Sequence, residues 1–257
     1  MGNNILLGSL QLSGTPRRGH TPRRGRTPRR GRTPRIVLSI DDSPSSGLLK
    51  KDHLFDVIEL RIDLFSSLAI NHIFSVVERF TAYPIIATIR SKKEGGNFTG
   101  EDQERLFIFK KIMPYIDAVD IELSSKEILQ DVVTAARKEK KKVIISYHNF
   151  EKTPSIRSLN HTLKKGFAAK ADIVKIAAFA KNNDDLEQLT RFTLMHLDKR
   201  IIILSMGEIG AISRLFFPAI GSLLTYAHSG KPTAPGQIDY TTLARLIKMF
   251  YSFADEG

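Results

Sequence analysis

Eight short runs of apolar, mostly β-branched residues recur along the chain from residue 35 onward. Each run is six or seven residues long and contains few charged side chains. Such lengths and compositions are typical of strands that are buried on both faces of a sheet. The predicted strands are 35–40, 57–63, 85–90, 118–123, 142–148, 173–179, 200–206 and 223–228.

Longer segments with helical spacing separate these runs. In segment 102–116 one helical face carries apolar residues, and segment 239–253 repeats the pattern. Such a stripe is typical of a helix that packs on one side of a sheet. The apolar face of the first predicted helix is Leu106, Phe109, Ile112 and Met113. That of the last is Leu243, Leu246, Ile247 and Phe250.

Eight strands that alternate with helices predict a parallel sheet. We therefore predict the α/β class and a (β/α)8 TIM barrel over residues 35–257, a length within the range of that fold. An open, doubly wound sheet is the alternative, but it usually has fewer strands. No G-x-G-x-x-G sequence follows the first run, so nothing supports the dinucleotide-binding form of that alternative.

The front of the chain carries most of the net charge. The formal charge is +12, and residues 1–35 contribute nine arginines and no acid. Within them the unit Thr-Pro-Arg-Arg-Gly-Arg recurs with a period of six and without an apolar anchor. We expect residues 1–34 to be a disordered, low-complexity basic extension. It is either a non-specific polyanion-binding arm or a repeat expansion without a role; the second is favoured because no aromatic residue is interleaved for base stacking.

The overall composition excludes several classes of protein. With 42% hydrophobic and 26% charged residues, the chain as a whole is not expected to be disordered. It has no cysteine, which excludes a disulfide scaffold and a thiolate metal site and fits a cytoplasmic location. No apolar run approaches the roughly 18–20 residues that span a bilayer, so we expect no membrane association.

A lysine interrupts the apolar run at 173–179. Lys175 stands between Val174 and Ile176 and is expected to be buried. Burial disfavours the charged ammonium, so the free amine would become available as a nucleophile for a carbonyl substrate. The alternative is a lysine that reaches solvent or is held in a salt bridge.

Other polar residues lie at the carboxyl ends of the runs, where barrel enzymes place their active sites. Glu59, Arg61 and Asp63 alternate and therefore point to one side of their strand. They are either a self-contained ion-pair ladder or a clamp for a polar ligand. Arg90 is either a surface residue or a donor to carboxylates and hydroxyls. His148 is either a hydrogen-bonded structural residue or a general acid–base.

With these residues the sequence resembles the type I 3-dehydroquinate dehydratases, the Schiff-base-forming class of the shikimate pathway. The resemblance covers roughly residues 34–254. Any one of its motifs would be weak, but all occur in order at the ends of the predicted strands. The motifs are E-L-R-I-D at 59–63, T-I-R-S-x-x-E-G-G at 88–96, D-I-E-L at 120–123, V-I-I-S-Y-H-N at 143–149, V-K-I-A at 174–177, S-M-G-x-x-G-x-x-S-R at 205–214 and A-P-G-Q at 234–237.

The resemblance implies a lyase that dehydrates 3-dehydroquinate to 3-dehydroshikimate without metal or cofactor. Lys175 would form an imine with the ring ketone, His148 would act as acid and base, and Glu94 would tune His148. Arg214 and Gln237 would hold the substrate's carboxylate under a lid, and the remaining residues would contact its hydroxyls. The implied substrate-binding residues are Ser39, Glu59, Arg61, Arg90, Arg214, Thr233 and Gln237.

Two features depart from the family pattern. Thr233 stands where serine is common, and the arginine repeat is not part of the pattern. A homodimer is expected from the resemblance. The alternatives are another Schiff-base barrel, such as a class I aldolase, and a catalytically inactive barrel with a polyanion-binding arm.

Overall fold

The computed structural model describes residues 5–12, 33–43 and 54–251. A small antiparallel hairpin comes first, formed by β1 (Ile5–Leu7) and β2 (Leu10–Leu12). Eight parallel strands follow, and they coincide with the eight predicted runs to within two residues at each end, so the α/β barrel architecture is confirmed. They are β3 (Ile36–Ile40), β4 (Val57–Arg61), β5 (Ile85–Thr88), β6 (Ala118–Glu122), β7 (Lys142–Asn149), β8 (Ile173–Phe179), β9 (Ile201–Met206) and β10 (Thr225–His228).

Helices connect the strands. The last helix follows a two-residue strand, β11 (Ile238–Asp239), which pairs with β10. Short 3-10 turns complete the connections at Ile62–Leu64, Lys92–Glu94, Met113–Tyr115, Ile209–Ile212 and Phe217–Ile220. The helices are α1 (Ile70–Glu78), α2 (Asp102–Ile112), α3 (Leu129–Lys138), α4 (Ile156–Ala168), α5 (Asn183–Met195), α6 (Ser213–Phe216) and α7 (Tyr240–Tyr251).

The sheet curls into a barrel with one seam. Its strand order is β11-β10-β3-β4-β5-β6-β7-β8-β9, so among the described residues β9 and β10 share no ladder. Ser222, just before β10, bridges this seam. The Ile203 N–H donates to Ser222 Oγ at 3.0 Å, and the Leu223 N–H donates to the Ile201 carbonyl at 2.9 Å. The curled sheet is therefore closed by a loop rather than by a ninth ladder.

The interior of the barrel has two parts. At the amino ends of the strands the inward side chains are apolar. They form one buried cluster with the β1–β2 hairpin, to which Ile5, Leu7 and Leu12 contribute. Two positions further along each strand the inward side chains become mostly polar. The fold thus places an apolar floor beneath a polar upper half. The apolar inward residues are Val37, Val57, Ile86, Ala118, Ile144, Ile173, Ile202 and Leu224.

The hairpin corrects one prediction. Residues 1–34 are predicted to be a single disordered extension, but residues 5–12 form β1 and β2. Gly8 takes a φ of +55° in the two-residue turn, a conformation that glycine adopts without strain. The arginine repeat spans residues 15–35, and all of it except its last three residues lies outside the described residues.

The predicted helix faces are correct with one exception. Leu106, Phe109, Ile112 and Met113 are buried, although α2 ends at Ile112 and is followed by the 3-10 turn Met113–Tyr115, which contains Pro114. In α7 Leu243 and Ile247 are buried. Phe250, which was assigned to the same face, is 59% exposed and packs outside the core. None of the helices in the described part of the chain is long and apolar enough to span a membrane.

Candidate active site

A cleft opens at the carboxyl ends of the parallel strands, with about 470 Å³ of empty space that includes its open mouth. The structure brings all ten predicted site residues to its lining, although they are spread over 199 positions of sequence. They are Ser39, Glu59, Arg61, Arg90, Glu94, His148, Lys175, Arg214, Thr233 and Gln237. The curled sheet therefore brings together, at one cleft, polar residues that lie at or after the carboxyl ends of different strands.

Lys175 lies on β8 with its side chain in this cleft and is only 4% exposed. Its Nζ donates to Asp120 Oδ2 at 2.9 Å and to Glu59 Oε1 at 3.5 Å. These two carboxylates, which burial of Lys175 alone does not reveal, form ion pairs with its amine. Lys175 is therefore both buried and salt-bridged.

Asp120, on β6, is a site residue that the residue-by-residue analysis did not single out. Besides Lys175, its carboxylate accepts from Arg90 Nη2 at 2.7 Å and from Ser146 Oγ at 2.6 Å. Burial opposes ionisation, but Arg90 and Lys175 outweigh it and hold the pKa of Asp120 far below its usual range. The signal in the sequence was an aspartate in the middle of an apolar run, at 118–123.

Glu59, on β4, is held by hydroxyl groups. Its Oε2 accepts from Ser39 Oγ at 2.5 Å and its Oε1 accepts from Thr88 Oγ1 at 2.8 Å. Burial opposes its ionisation, yet the neighbouring Lys175 and Arg61 lower the pKa of Glu59. Glu59 is thus a fixed negative charge, and Ser39 acts on it directly.

Arg61 and Asp63 form a two-pronged pair at the end of β4. Arg61 Nε donates to Asp63 Oδ1 at 3.0 Å, and Arg61 Nη2 donates to Asp63 Oδ2 at 2.8 Å. Asp63 also accepts from the Asn97 N–H at 3.1 Å. Asp63 does not line the cleft, whereas Arg61 does. Each of the two interpretations of this motif, an ion-pair ladder and a clamp for a polar ligand, therefore describes part of it. Asp63 is paired with Arg61 and orients it, and Arg61 faces the cleft.

A chain of buried charges extends outward from the cleft. Arg90 contacts Glu122 at 3.3 Å between Nη1 and Oε1, and Glu122 Oε2 accepts from Arg105 Nη2 at 2.7 Å. Arg105 lies on α2 and is 0% exposed. Burial opposes ionisation of Glu122, but Arg90 and Arg105 outweigh it and lower its pKa. Alternating charges from helix to cleft thus fix the guanidinium of Arg90.

His148 and Glu94 form the second buried pair. His148 Nδ1 lies 3.0 Å from Glu94 Oε2, and the His148 N–H donates to the same oxygen at 2.9 Å. Burial, Arg90 and Lys175 lower the pKa of His148 well below its usual value. Burial raises the pKa of Glu94 to about 7, although Ser124 and Arg90 oppose this rise. The imidazole is therefore neutral at pH 7 and able to take up a proton.

The turn that carries Glu94 depends on a close backbone approach. A Cβ added to Gly96 would lie 2.1 Å from the Arg90 carbonyl oxygen, a contact that no side chain tolerates. The Gly96 N–H donates to the Ser91 carbonyl at 3.0 Å and closes the turn. Glycine at this position therefore lets the chain fold back so that Glu94 reaches His148.

Arg214 has donors to spare. It is 1% exposed, yet its Nε and Nη2 find no hydrogen-bond acceptor among the described residues. Burial lowers its pKa to about 10, so it remains a cation at neutral pH. A buried, unpaired guanidinium is costly, and an anionic ligand in the cleft would satisfy it.

The loop at 233–237 covers one side of the cleft. Gln237 Oε1 accepts from the Thr233 N–H at 2.7 Å and from Thr233 Oγ1 at 2.9 Å. The Gly207 N–H donates to the Pro235 carbonyl at 3.3 Å and ties the loop to the end of β9. The backbone and the hydroxyl of Thr233 therefore hold Gln237 in the loop.

No group of three or more His, Asp or Glu side chains suited to a metal ion occurs within residues 5–12, 33–43 and 54–251. The cleft instead contains Lys175, His148 and three arginines, and all of these except Arg214 contact a carboxylate. Fold and site together define an α/β-barrel enzyme for a small anionic molecule that binds next to a buried lysine.

Comparisons with known proteins identify the family of enzymes to which the chain belongs. The chain belongs to the type I 3-dehydroquinase family, whose model matches residues 48–254. A curated 3-dehydroquinate dehydratase from Hydrogenobaculum sp. (strain Y04AAS1) is 35% identical over 219 residues, which are 84% of this chain and 99% of that protein.

Solved structures agree with the family assignment. The crystal structure of the 3-dehydroquinate dehydratase from Aquifex aeolicus VF5 superposes with a TM-score of 0.76 at 36% identity, covering 84% of this chain and 99% of that one. A type I 3-dehydroquinate dehydratase from Clostridium difficile gives a TM-score of 0.82 at 27% identity, with 98% and 99% covered. The expected resemblance is thereby confirmed.

Proposed function

We propose that this chain dehydrates 3-dehydroquinate through an imine on Lys175, with His148 as the general acid–base. The reaction itself, which yields 3-dehydroshikimate in the shikimate pathway, follows from membership of the family and the 35% identity to a named dehydratase. Family membership also argues against the aldolase alternative. The lysine chemistry and the residue roles below are our proposal.

The lysine step needs a nucleophilic nitrogen and a place for its proton. The Lys175 ammonium gives up its proton to water in the open cleft, and Asp120, whose Oδ2 is 2.9 Å from Nζ, then holds the nitrogen in place. The freed amine attacks the ring ketone, and loss of water gives the imine. A protonated imine withdraws electrons from the neighbouring carbon more strongly than a ketone does, which makes a proton on that carbon removable.

The proton-transfer step requires a neutral base. His148 meets this requirement at pH 7 because burial and nearby cations lower its pKa. With its Nδ1 proton donated to Glu94, Nε2 is free to take the proton from the carbon next to the imine. The same imidazolium then protonates the departing hydroxyl, so that one residue serves both halves of the elimination. Water finally hydrolyses the imine, which releases the ketone product and restores the amine of Lys175.

The carboxylate of the substrate needs fixed donors. Arg214 offers two unpaired N–H groups in a fork suited to a carboxylate, and Gln237 lies on the loop beside it. Arg61 and Arg90 are held by Asp63 and Asp120, and on this proposal their remaining donors bind ring hydroxyls. Positioned donors of this kind orient the substrate without a metal.

The observation that carries the proposal is Lys175, buried between Asp120 and Glu59 in the cleft that also holds His148 and the unpaired Arg214. The test is the absorbance of the conjugated enone product, followed with 3-dehydroquinate in the presence and absence of a chelator. We expect equal rates in both. No product, or a rate that falls when chelator is added, would contradict the imine route.

Three further expectations stay proposals. We expect a homodimer, which light scattering tests against the chain mass of 28.9 kDa. We expect a cytoplasmic location. We expect the arginine repeat to bind polyanions non-specifically if it binds anything, which a salt titration of binding to mixed-sequence DNA tests.

A further inference from the structure

Tyr226 is a residue of the cleft to which neither the sequence motifs nor the steps above give a role. It lies on β10, is 3% exposed and lines the same cleft as Lys175. The Lys175 Nζ lies 4.1 Å from the centre of its ring, well within the range of a cation–π interaction. An aromatic face is therefore a third partner of the reactive nitrogen, beside Asp120 and Glu59.

We propose that the ring face of Tyr226 stabilises the positive charge on the Lys175 nitrogen, first in the ammonium and then in the protonated imine. This inference rests on the imine mechanism proposed above. It makes Tyr226 a catalytic residue, since its ring contacts the reacting nitrogen.

The number of N–H groups explains why such a partner matters. An ammonium has three N–H donors and can serve Asp120 at 2.9 Å and Glu59 at 3.5 Å together. A protonated imine has one N–H and can keep a full hydrogen bond to only one of them. A π face is attracted to the charge itself and needs no particular N–H, so this contact persists when the nitrogen becomes an imine.

The ring is suited to this task. Burial and the carboxylates of Glu59 and Asp120 raise the pKa of Tyr226 well above its usual value, so it remains an uncharged phenol. Its hydroxyl has no hydrogen-bond partner in the described part of the chain. The ring packs instead in the apolar cluster that includes Ala177, Leu204 and Met206. Apolar packing thus holds the ring, and the hydroxyl is not needed to place it.

The test replaces Tyr226 by phenylalanine and then by phenylalanines with increasing numbers of ring fluorines, in the full chain. Fluorine withdraws electron density from the ring face and changes the ring shape little. We expect Tyr226→Phe to retain kcat/KM within about twofold, and the fluorinated series to lose about tenfold in progressive steps, the scale of a desolvated cation–π contact.

A matched series at Phe192 is the control. Phe192 is also a fully buried ring, but it packs in the outer cluster between strands and helices and does not line the cleft. Fluorination there should leave kcat/KM unchanged. Thermal unfolding of each variant separates a change in catalysis from a change in folding.

Two results would overturn the inference. One is a flat fluorination series at position 226; the other is a large loss in Tyr226→Phe, which would assign the effect to the hydroxyl. Borohydride trapping distinguishes a failure of this inference from a failure of the proposed function. A trapped adduct on Lys175 with a flat series refutes only the role of the ring, whereas an unmodified wild-type protein refutes the imine as well.

Discussion

The two ends of the barrel are built from the same strands but have opposite contents. On β8, Ile173 faces the apolar floor, and two residues later Lys175 faces the cleft. The floor is sealed by Ile5, Leu7 and Leu12 of the hairpin, whereas at the cleft Nε and Nη2 of Arg214 have no acceptor among the described residues. The floor therefore buries apolar surface, whereas the cleft buries charged groups, which disfavours folding.

The difference shows how the fold separates stability from chemistry. A desolvated guanidinium such as that of Arg214 disfavours folding until an anion binds. Apolar packing at the floor offsets such a cost, since removing buried side chains from water is the main stabilising contribution to folding. If this division holds, substitutions at the floor should change stability, and substitutions at the cleft should change turnover.

The largest effect is expected for Lys175→Ala. Without the nucleophile no imine can form, so kcat should fall by at least about 10⁴-fold in the enone absorbance assay. Lys164→Ala removes an exposed lysine of α4 and should leave kcat unchanged. A Lys175→Ala enzyme that retains a tenth of the activity would show that the cleft works without this amine.

Arg105→Met tests the chain of charges between α2 and the cleft. Glu122 would lose its partner at 2.7 Å while still buried, and removal of one partner from such a pair costs about 3–5 kcal/mol of unfolding free energy. Urea unfolding measures this loss. Arg191→Met is the control, because Arg191 is exposed and lies 4.0 Å from Glu187, and exposed pairs contribute less than about 1 kcal/mol.

Leu7→Ala tests the floor. Leu7 is 1% exposed, and truncation of a buried leucine usually costs about 2–4 kcal/mol. We expect urea unfolding to show this loss while kcat of the folded enzyme is unchanged. Leu6→Ala, at a neighbouring position that is 57% exposed, should do neither. A fall in kcat for Leu7→Ala without a loss of stability would contradict the division between the two ends.

Glu94→Gln tests the cleft through pH. Because burial raises the pKa of Glu94 from 4.5 to about 7, the folded protein favours the protonated acid. Its contribution to stability is complete below about pH 4.5 and is lost as the pH rises through about 7. Glutamine resembles the protonated acid and keeps this contribution at every pH. The free energy of unfolding of the variant, relative to that of the wild type, should therefore rise by up to about 3 kcal/mol between pH 4.5 and pH 8.

Unfolding measured at several pH values gives this difference, with Glu127→Gln, at an exposed position of the surface, as the control. A difference between Glu94→Gln and wild type that does not change with pH would mean that the carboxyl is not held in its neutral form.

The smallest effect is expected for the arginine repeat. Replacement of residues 13–32 by a flexible linker should change kcat less than about twofold, since both described flanks lie away from the cleft. Deletion of residues 1–32 also removes the hairpin and should lower the temperature of thermal unfolding. A marked loss of kcat in the linker variant would show that the repeat takes part in catalysis.

Much of the fold could be predicted because its signals are local. The run at 142–148 became Lys142–Asn149, since β-branched residues and flanking polar residues mark a buried strand wherever it pairs. The hairpin was missed although Gly8 and Ser9 form a typical two-residue turn between apolar residues. Its eight residues were grouped with the repeat because their packing partners lie far away in sequence.

The site was predictable only in part. Lys175 and His148 stand out because they interrupt or end apolar runs, and the family motifs supply the others. The partners of Lys175 were not readable, since Asp120 is 55 positions away and meets it only through the register of β6, β7 and β8. Arg105 and Tyr226 were missed for the same reason. The contact of Arg105 with Glu122 and the contact of Tyr226 with Lys175 both form only in the folded barrel.

The central claim is that the amine of Lys175 becomes covalently bound to the substrate. The most direct measurement is the intact mass of the protein after borohydride reduction in the presence of 3-dehydroquinate, followed by peptide mapping. We predict one reduced adduct per chain, located on Lys175 and absent in Lys175→Ala. An unmodified mass under conditions of active turnover, or an adduct on another lysine, would contradict the account.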